Sequence, residues 1–142
     1  MIHKKPKDVF LVLQTMLLFH AFDICLRVWP FERVLSWVLT RSRRETARGS
    51  KAENDHIIET MRRTIVLIRK FDWRSRLDCL PRSLAVYWVL RRRGLPSELV
   101  MGVKKNPFGA HAWVEVDGDV ISDYGDEHTG YIVLMRGEAF AT

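Results

Sequence analysis

The spacing of apolar residues changes once along this chain, at Gly94-Leu95-Pro96, and that change restricts the fold more than any other feature. Before it, apolar residues recur three and four positions apart over long segments, which predicts helices. After it, apolar and polar residues alternate over short segments separated by turn residues, which predicts strands. Helices followed by antiparallel strands are typical of the α+β class, so we expect the helices to pack on one side of the sheet.

The helical part is predicted as four segments, at residues 9–29, 31–39, 54–70 and 79–93. Asn54 or Asp55 is a suitable N-cap for the third segment, and Gly94 followed by Pro96 ends the fourth. The fourth segment is apolar around most of its circumference, which indicates a central helix. The predicted strands cover residues 98–103, 110–116, 119–123 and 131–136.

The first helical segment is the most apolar part of the chain. It contains polar residues that a membrane-spanning helix rarely carries, namely Gln14, His20, Asp23 and Arg27. We interpret it as a buried or half-buried helix, with peripheral contact to a membrane as the alternative.

Composition excludes several classes of function. A length of 142 residues fits one domain, and two cysteines do not make a disulfide framework, so we expect a reduced, cytoplasmic setting. The net charge is +6, but the basic clusters are interpreted as solvated helix ends and faces. The sequence has neither the residue spacing of a zinc finger, RNP-type or basic-zipper motif nor a phosphate-binding glycine loop. We therefore predict no nucleic acid partner, no metal and no cofactor.

Cys79 is a candidate nucleophile because it stands at the predicted start of the fourth helix. Asp78 is a suitable N-cap, and the positive end of the helix macrodipole favours a thiolate over a thiol. Arg82, one turn later, adds positive charge. The alternative for Cys79 is a small buried residue like most free cysteines, and Cys25 within the first helix is assigned to that alternative.

A histidine and an aspartate follow on the predicted strands. Alternation puts His111, Trp113 and Glu115 on one face of their strand and the small apolar residues on the face toward the core. A three-residue turn, Val116-Asp117-Gly118, would set His111 opposite Asp123 on the next strand. A two-residue turn would set His111 opposite Tyr124 instead. As the acid that would orient His111, Asp117 is a weaker candidate than Asp123, because it is better suited to forming the turn.

Two longer stretches resemble a known family. CLPRSLAVYWVLRRRGLPSELVMGV followed by PFGAHAWVEVDGDVISD is similar to the leader peptidases of lasso peptide biosynthesis, in the transglutaminase-like cysteine protease superfamily. The resemblance covers residues 50–136, and its signatures are C-L-x-R-S-L-A and A-H-A-W-V-E-x-x-G. It implies a papain-like core whose central helix carries the cysteine. Residues 1–50 would then be a helical part preceding a catalytic core at 51–142.

The resemblance also implies an activity and partners. Cys79 would be the nucleophile, His111 the base and Asp123 the orienting acid of an enzyme that cuts the leader from a precursor peptide. The expected partners are that precursor, a leader-recognition protein and a lasso cyclase. The recognition protein is expected to be a separate chain, because this sequence has no room for such a domain ahead of the catalytic core.

Three residues of the signatures have open roles. Arg82 would bind the leader or brace the cysteine loop. Trp113 would line the substrate cleft or simply pack, and Glu115 shares its face. A transglutaminase-like amidase or acyl transferase, and a non-catalytic scaffold of the maturation complex, are the alternative functions.

Overall fold

The computed structural model describes residues 6–41, 50–71, 79–121 and 128–136, and it confirms the α+β class. Helices α1 (Pro6–Val28), α2 (Phe31–Arg41), α3 (Lys51–Phe71) and α4 (Cys79–Arg92) come first. Strands β1 (Ser97–Lys104), β2 (Gly109–Val116), β3 (Asp119–Val120) and β4 (Ile132–Arg136) follow. The strands form one antiparallel sheet in the order β3-β2-β1-β4, so β1 and β2 are central.

The start of α3 differs from the sequence prediction. The helix begins at Lys51, and Ser50 is its N-cap: the Ser50 hydroxyl accepts a hydrogen bond from the Glu53 amide at 3.2 Å. The Ser50 carbonyl accepts the next bond, from Asn54 at 3.0 Å. The N-cap predicted at Asn54 or Asp55 is therefore wrong, because a serine one turn earlier satisfies the first amides of the helix.

The end of α4 explains the abrupt change from helix to sheet. Gly94 takes a φ of 82°, in the left-handed region that favours glycine. The amides of Gly94 and Leu95 bond back to the carbonyls of Arg91 and Leu90, at 3.1 and 3.0 Å. This is a Schellman motif, and buried Leu95 then leads directly into β1.

Helix α4 is the centre of the molecule, as its apolar circumference predicted. It contacts β1 and β2 of the sheet as well as α1. Nearly all of its residues from Pro81 to Leu90 are buried, and the core includes Leu84, Val86, Tyr87, Val89 and Leu90. The sheet contributes Leu99, Val114 and Val116 to the same core. The first residue of α4, Cys79, is thus held against the sheet by the packing of the whole helix.

The β2–β3 turn has two residues, not the three that direct opposition of His111 and Asp123 required. Val116 pairs with Asp119 and Glu115 with Val120, which leaves Asp117 and Gly118 as the turn. Both have positive φ, at 50° and 84°. That is the conformation of a type I′ turn, whose twist matches that of the flanking strands.

Candidate active site

Cys79 is the first residue of α4 and is a half-buried free thiol. Burial raises the pKa of this thiol, but a hydrogen bond with the His111 side chain, one with the Ala112 backbone, and the charges of His111 and Arg82 outweigh it. The net result is a pKa lowered from the usual value of a cysteine. A position at a helix start acts in the same direction. The proposed N-cap, Asp78, lies outside the described residues.

Ser83 fixes the distance between α4 and β2 at this point. Its hydroxyl donates a hydrogen bond to the Ala112 carbonyl at 2.9 Å, and both residues are buried. Ser83 is one turn after Cys79, so it lies on the same side of the helix. One residue of β2, Ala112, therefore contacts α4 twice, through its backbone at Cys79 and at Ser83.

His111 lies on the central strand β2 and is 7% exposed. Its ring stacks on Trp113 at 5.6 Å between centroids and contacts the Tyr131 ring at 5.3 Å. The opposite face of β2 carries Ala112 and Val114, which are also buried. The core face was therefore predicted correctly at these positions, but the His111 face is buried as well.

The sequence predicts Asp123 as the partner of His111, provided that the β2–β3 turn has three residues. In the observed register Ile121 bonds to Val114, with its amide 2.8 Å from the Val114 carbonyl. Direct opposition of His111 and Asp123 required a three-residue turn, and the turn has two residues. Asp123 lies outside the described residues, and its role stays a prediction. Asp117 is exposed at the turn, six residues from His111 and so roughly 20 Å along an extended strand.

Arg82 is 1% exposed, three residues after Cys79. Its charge contributes to the lowered pKa of the Cys79 thiol. The sequence left two roles open for Arg82. Its burial favours stabilisation of the Cys79 region over contact with a peptide in solvent.

Trp113 is also almost fully buried, at 3% exposed, which favours packing over lining an open cleft. Its indole N–H donates to a Glu115 carboxylate oxygen at 3.0 Å. Arg136 of β4 pairs with the other oxygen of Glu115 and with Glu98, which is 3.4 Å away. These contacts hold the tryptophan that stacks on His111, and they link three strands on that face of the sheet.

Two further residues of the site were not predicted. Tyr131 contacts both His111 and Trp113, with the Lys104 ammonium 4.9 Å from its ring centre. Gly102 pairs directly with His111 across β1 and β2. The glycine inside an otherwise regular strand was a signal for a close approach, but nothing in the sequence near Tyr131 indicated a contact with the site.

Gly102 is required by that close approach. A Cβ there would lie 2.9 Å from the Ile132 carbonyl oxygen and 3.2 Å from the Trp113 ring. The ring of Trp113 thus lies over the position where any other residue would place its side chain. Within the described part of the chain, no group of three or more His, Cys, Asp or Glu side chains could hold a metal ion.

Comparison of the sequence with known proteins places this chain in a family. The family model described as the transglutaminase-like superfamily matches residues 25–136, which include Cys79 and His111. The microcin J25-processing protein McjB of Escherichia coli is 32% identical over 111 residues, covering 75% of this chain and 52% of McjB. The chain therefore spans about half the length of that relative. No solved structure matches it significantly.

Proposed function

The chain belongs to the transglutaminase-like superfamily, and on that premise we propose that it is a cysteine peptidase that removes the leader from a lasso peptide precursor. The observation that carries the proposal is the hydrogen bond between Cys79 and His111 together with the lowered pKa of the thiol. The similarity to McjB, a protein named for processing microcin J25, supports the substrate class.

The proposed reaction has two steps. In the first, His111 takes the thiol proton of Cys79, and Sγ attacks the carbonyl carbon that precedes the core peptide. The C–N bond breaks, His111 protonates the leaving amine, and the leader remains as a thioester on Cys79. In the second, His111 removes a proton from water, the resulting hydroxide displaces Sγ, and the leader leaves with a free carboxylate.

Developing negative charge on the carbonyl oxygen needs hydrogen-bond donors. The backbone N–H groups of Cys79 and Leu80 are at the first turn of α4, where a helix leaves its amides without carbonyl partners. Pro81 has no N–H to contribute. Arg82, buried beneath the same turn, stabilises the thiolate that forms before attack.

The orientation of His111 is the second requirement. Asp123 is proposed as the carboxylate that holds one imidazole nitrogen. Trp113 and Tyr131 hold the plane of the ring, and Glu115 in turn holds the Trp113 indole. We propose Trp113 and Glu115 as positioning residues, because they act on the base rather than on the peptide.

The proposed partners are the precursor peptide, a separate leader-recognition protein and a lasso cyclase, all in the cytoplasm. We expect cleavage to be faster when the recognition protein is supplied with the precursor.

The two cysteines offer a matched test. The purified chain is incubated with its precursor and recognition protein, and the products are weighed by mass spectrometry. Cys79→Ala is expected to abolish cleavage, whereas Cys25→Ala, at a half-buried cysteine in α1, should leave it unchanged. Cleavage that survives in Cys79→Ala would rule out the proposed chemistry.

The same experiment separates the alternative functions. Acyl transfer would join the leader to an added amine, giving a mass other than that of the hydrolysed leader. A non-catalytic scaffold would give no product with the wild-type chain, yet would still bind the precursor in a pull-down.

A further inference from the structure

Helix α1 presents an apolar surface to solvent along nearly its whole length. One face packs inward on α3 and α4 through Leu11, Thr15, Phe19 and Phe22. On the opposite face five side chains, here called the apolar stripe, are each between 56% and 70% exposed: Phe10, Leu13, Leu17, Ile24 and Val28. Their spacing of three, four, seven and four residues keeps them on one side of the helix.

The outward face of a helix on a soluble protein is normally polar. The stripe runs for about 27 Å at 1.5 Å per residue. By length and composition α1 is apolar enough to cross a bilayer, and only 22% of its most apolar 18-residue segment is buried. Its inner face is nevertheless packed against α3 and α4. A helix held in this way would lie along a membrane surface rather than cross it.

Basic side chains stand beside the stripe. At 100° per residue, Lys7 and Arg27 fall on opposite sides of it. Lys7 also lines one cleft with Phe10 of the stripe and with Arg92 and Arg93 from the end of α4. The N-terminal end of the stripe is thus bordered by three cationic groups.

Two tryptophans and a further arginine lie near the C-terminal end of α1, around a groove that Phe22 and Cys25 also line. Trp29 and Trp37 are about half exposed, and both line this apolar groove with Arg33. Tryptophan is enriched at the level of lipid headgroups, because its ring is apolar and its N–H is polar.

The acidic side chains of this region largely have partners of their own. Asp8 lies 2.9 Å from His56 and also acts electrostatically on Arg93, and Asp23 lies 3.3 Å from Arg27. Glu32 carries the remaining acidic charge of α1 and α2. The surface around the stripe is therefore apolar at its centre and mainly basic at its margins.

We propose that this face of α1 docks on an anionic lipid surface. The stripe enters the boundary between headgroups and acyl chains, and Lys7, Arg33 and the arginines at the end of α4 meet lipid phosphates. A net charge of +6 attracts the chain to such a surface over a longer range. The proposal is independent of the peptidase chemistry, because Cys79 and His111 take no part in it.

Vesicle flotation of the full chain tests the proposal. Vesicles of phosphatidylcholine mixed with phosphatidylglycerol are compared with vesicles of phosphatidylcholine alone. We expect binding to the mixed vesicles that weakens with added salt, and weaker binding to the neutral ones. Failure of the wild-type chain to float with the mixed vesicles would overturn the proposal.

Substitutions identify the surface that binds. Leu13→Glu and Leu17→Glu, each made alone, should lower partitioning by about tenfold or more, because an apolar anchor is replaced by a charge that anionic lipid repels. Val66→Glu is the matched control, since Val66 is an exposed apolar residue on α3 outside the stripe. Circular dichroism melts show whether each variant folds as the wild type does.

Two results of these substitutions would contradict the proposal. Equal loss of flotation in Val66→Glu and the stripe variants would mean that general charge, not the stripe, governs binding. A wild-type dimer that the stripe variants convert to monomer in size-exclusion chromatography would make the stripe a contact between two copies of this chain.

Discussion

The regions around Cys79 and Cys25 place the same side chain in different chemical settings. Both thiols are free and half-buried within helices, so exposure does not distinguish them. Cys25 lies inside α1 and lines an apolar groove with Phe22 and Val34. Cys79 begins α4 and bonds to His111 and to the backbone of β2. The start of a helix and one strand residue, rather than accessibility, would therefore make a cysteine a nucleophile.

Removing the imidazole should have the largest effect on this contrast. His111→Ala takes away the proposed base and the hydrogen bond to Cys79, so we expect precursor cleavage to fall by about 10²- to 10⁴-fold. The rate is measured by mass spectrometry under single-turnover conditions. His20→Ala is the control, because His20 is exposed on α1, in the same helix as Cys25.

A loss of less than tenfold in His111→Ala would contradict a role for His111 as the base. Thermal melts of the variant separate lost chemistry from lost folding. His111→Gln, which fills more of the same space without a basic nitrogen, provides a second measurement if the alanine variant is unstable.

Crowding the strand opposite His111 should have the next largest effect. Gly102→Ala puts a methyl group 2.9 Å from the backbone oxygen of Ile132 and 3.2 Å from the Trp113 ring. Because a backbone atom cannot move aside as a side chain can, we expect a loss of about 1–3 kcal/mol in the free energy of unfolding, measured in urea. The ring of Trp113 would also shift on His111, so cleavage should slow as well.

Gly109→Ala is the matched control on the neighbouring strand. The nearest atom to its added methyl group is Cε of Lys104 at 3.3 Å, the far end of a flexible side chain. It should unfold within about 0.5 kcal/mol of the wild type, as surface substitutions usually do. Equal destabilisation by the two alanines would mean that Gly102 has no special place beside the site.

The sequence predicted the parts of this arrangement that depend on local chemistry. The helix start at Cys79, its end at Gly94, and the strand that carries His111 all follow from spacing and from the residues that cap or turn the chain. Each signal lies within a few positions of the feature that it predicts.

The errors occur where several local signals compete or where distant segments meet. Ser50, Asn54 and Asp55 are all good N-caps, and their residue types alone do not decide between them; in the structure Ser50 caps the helix. Asp117-Gly118 suits both a two-residue turn and the end of a three-residue turn. These two residues therefore do not determine the register between β2 and β3. Tyr131 directly precedes β4, and the pairing of β4 with β1 brings it to His111. No local pattern in the sequence predicts that pairing.

Alkylation of the two thiols by iodoacetamide compares them within a single sample and should show the smallest effect. A lowered pKa means that Cys79 keeps more thiolate as the pH falls, so its rate should decline at a lower pH than that of an ordinary thiol. At neutral pH the advantage should be only about severalfold, because a thiolate of lower pKa is also a weaker nucleophile. In His111→Ala the burial that raises the pKa remains while two effects that lower it are gone, so the inflection should move to higher pH. Mass spectrometry of the two cysteine peptides gives both rates, with Cys25 as the internal reference, and an inflection that stays in place without His111 would show that the imidazole does not activate this thiol.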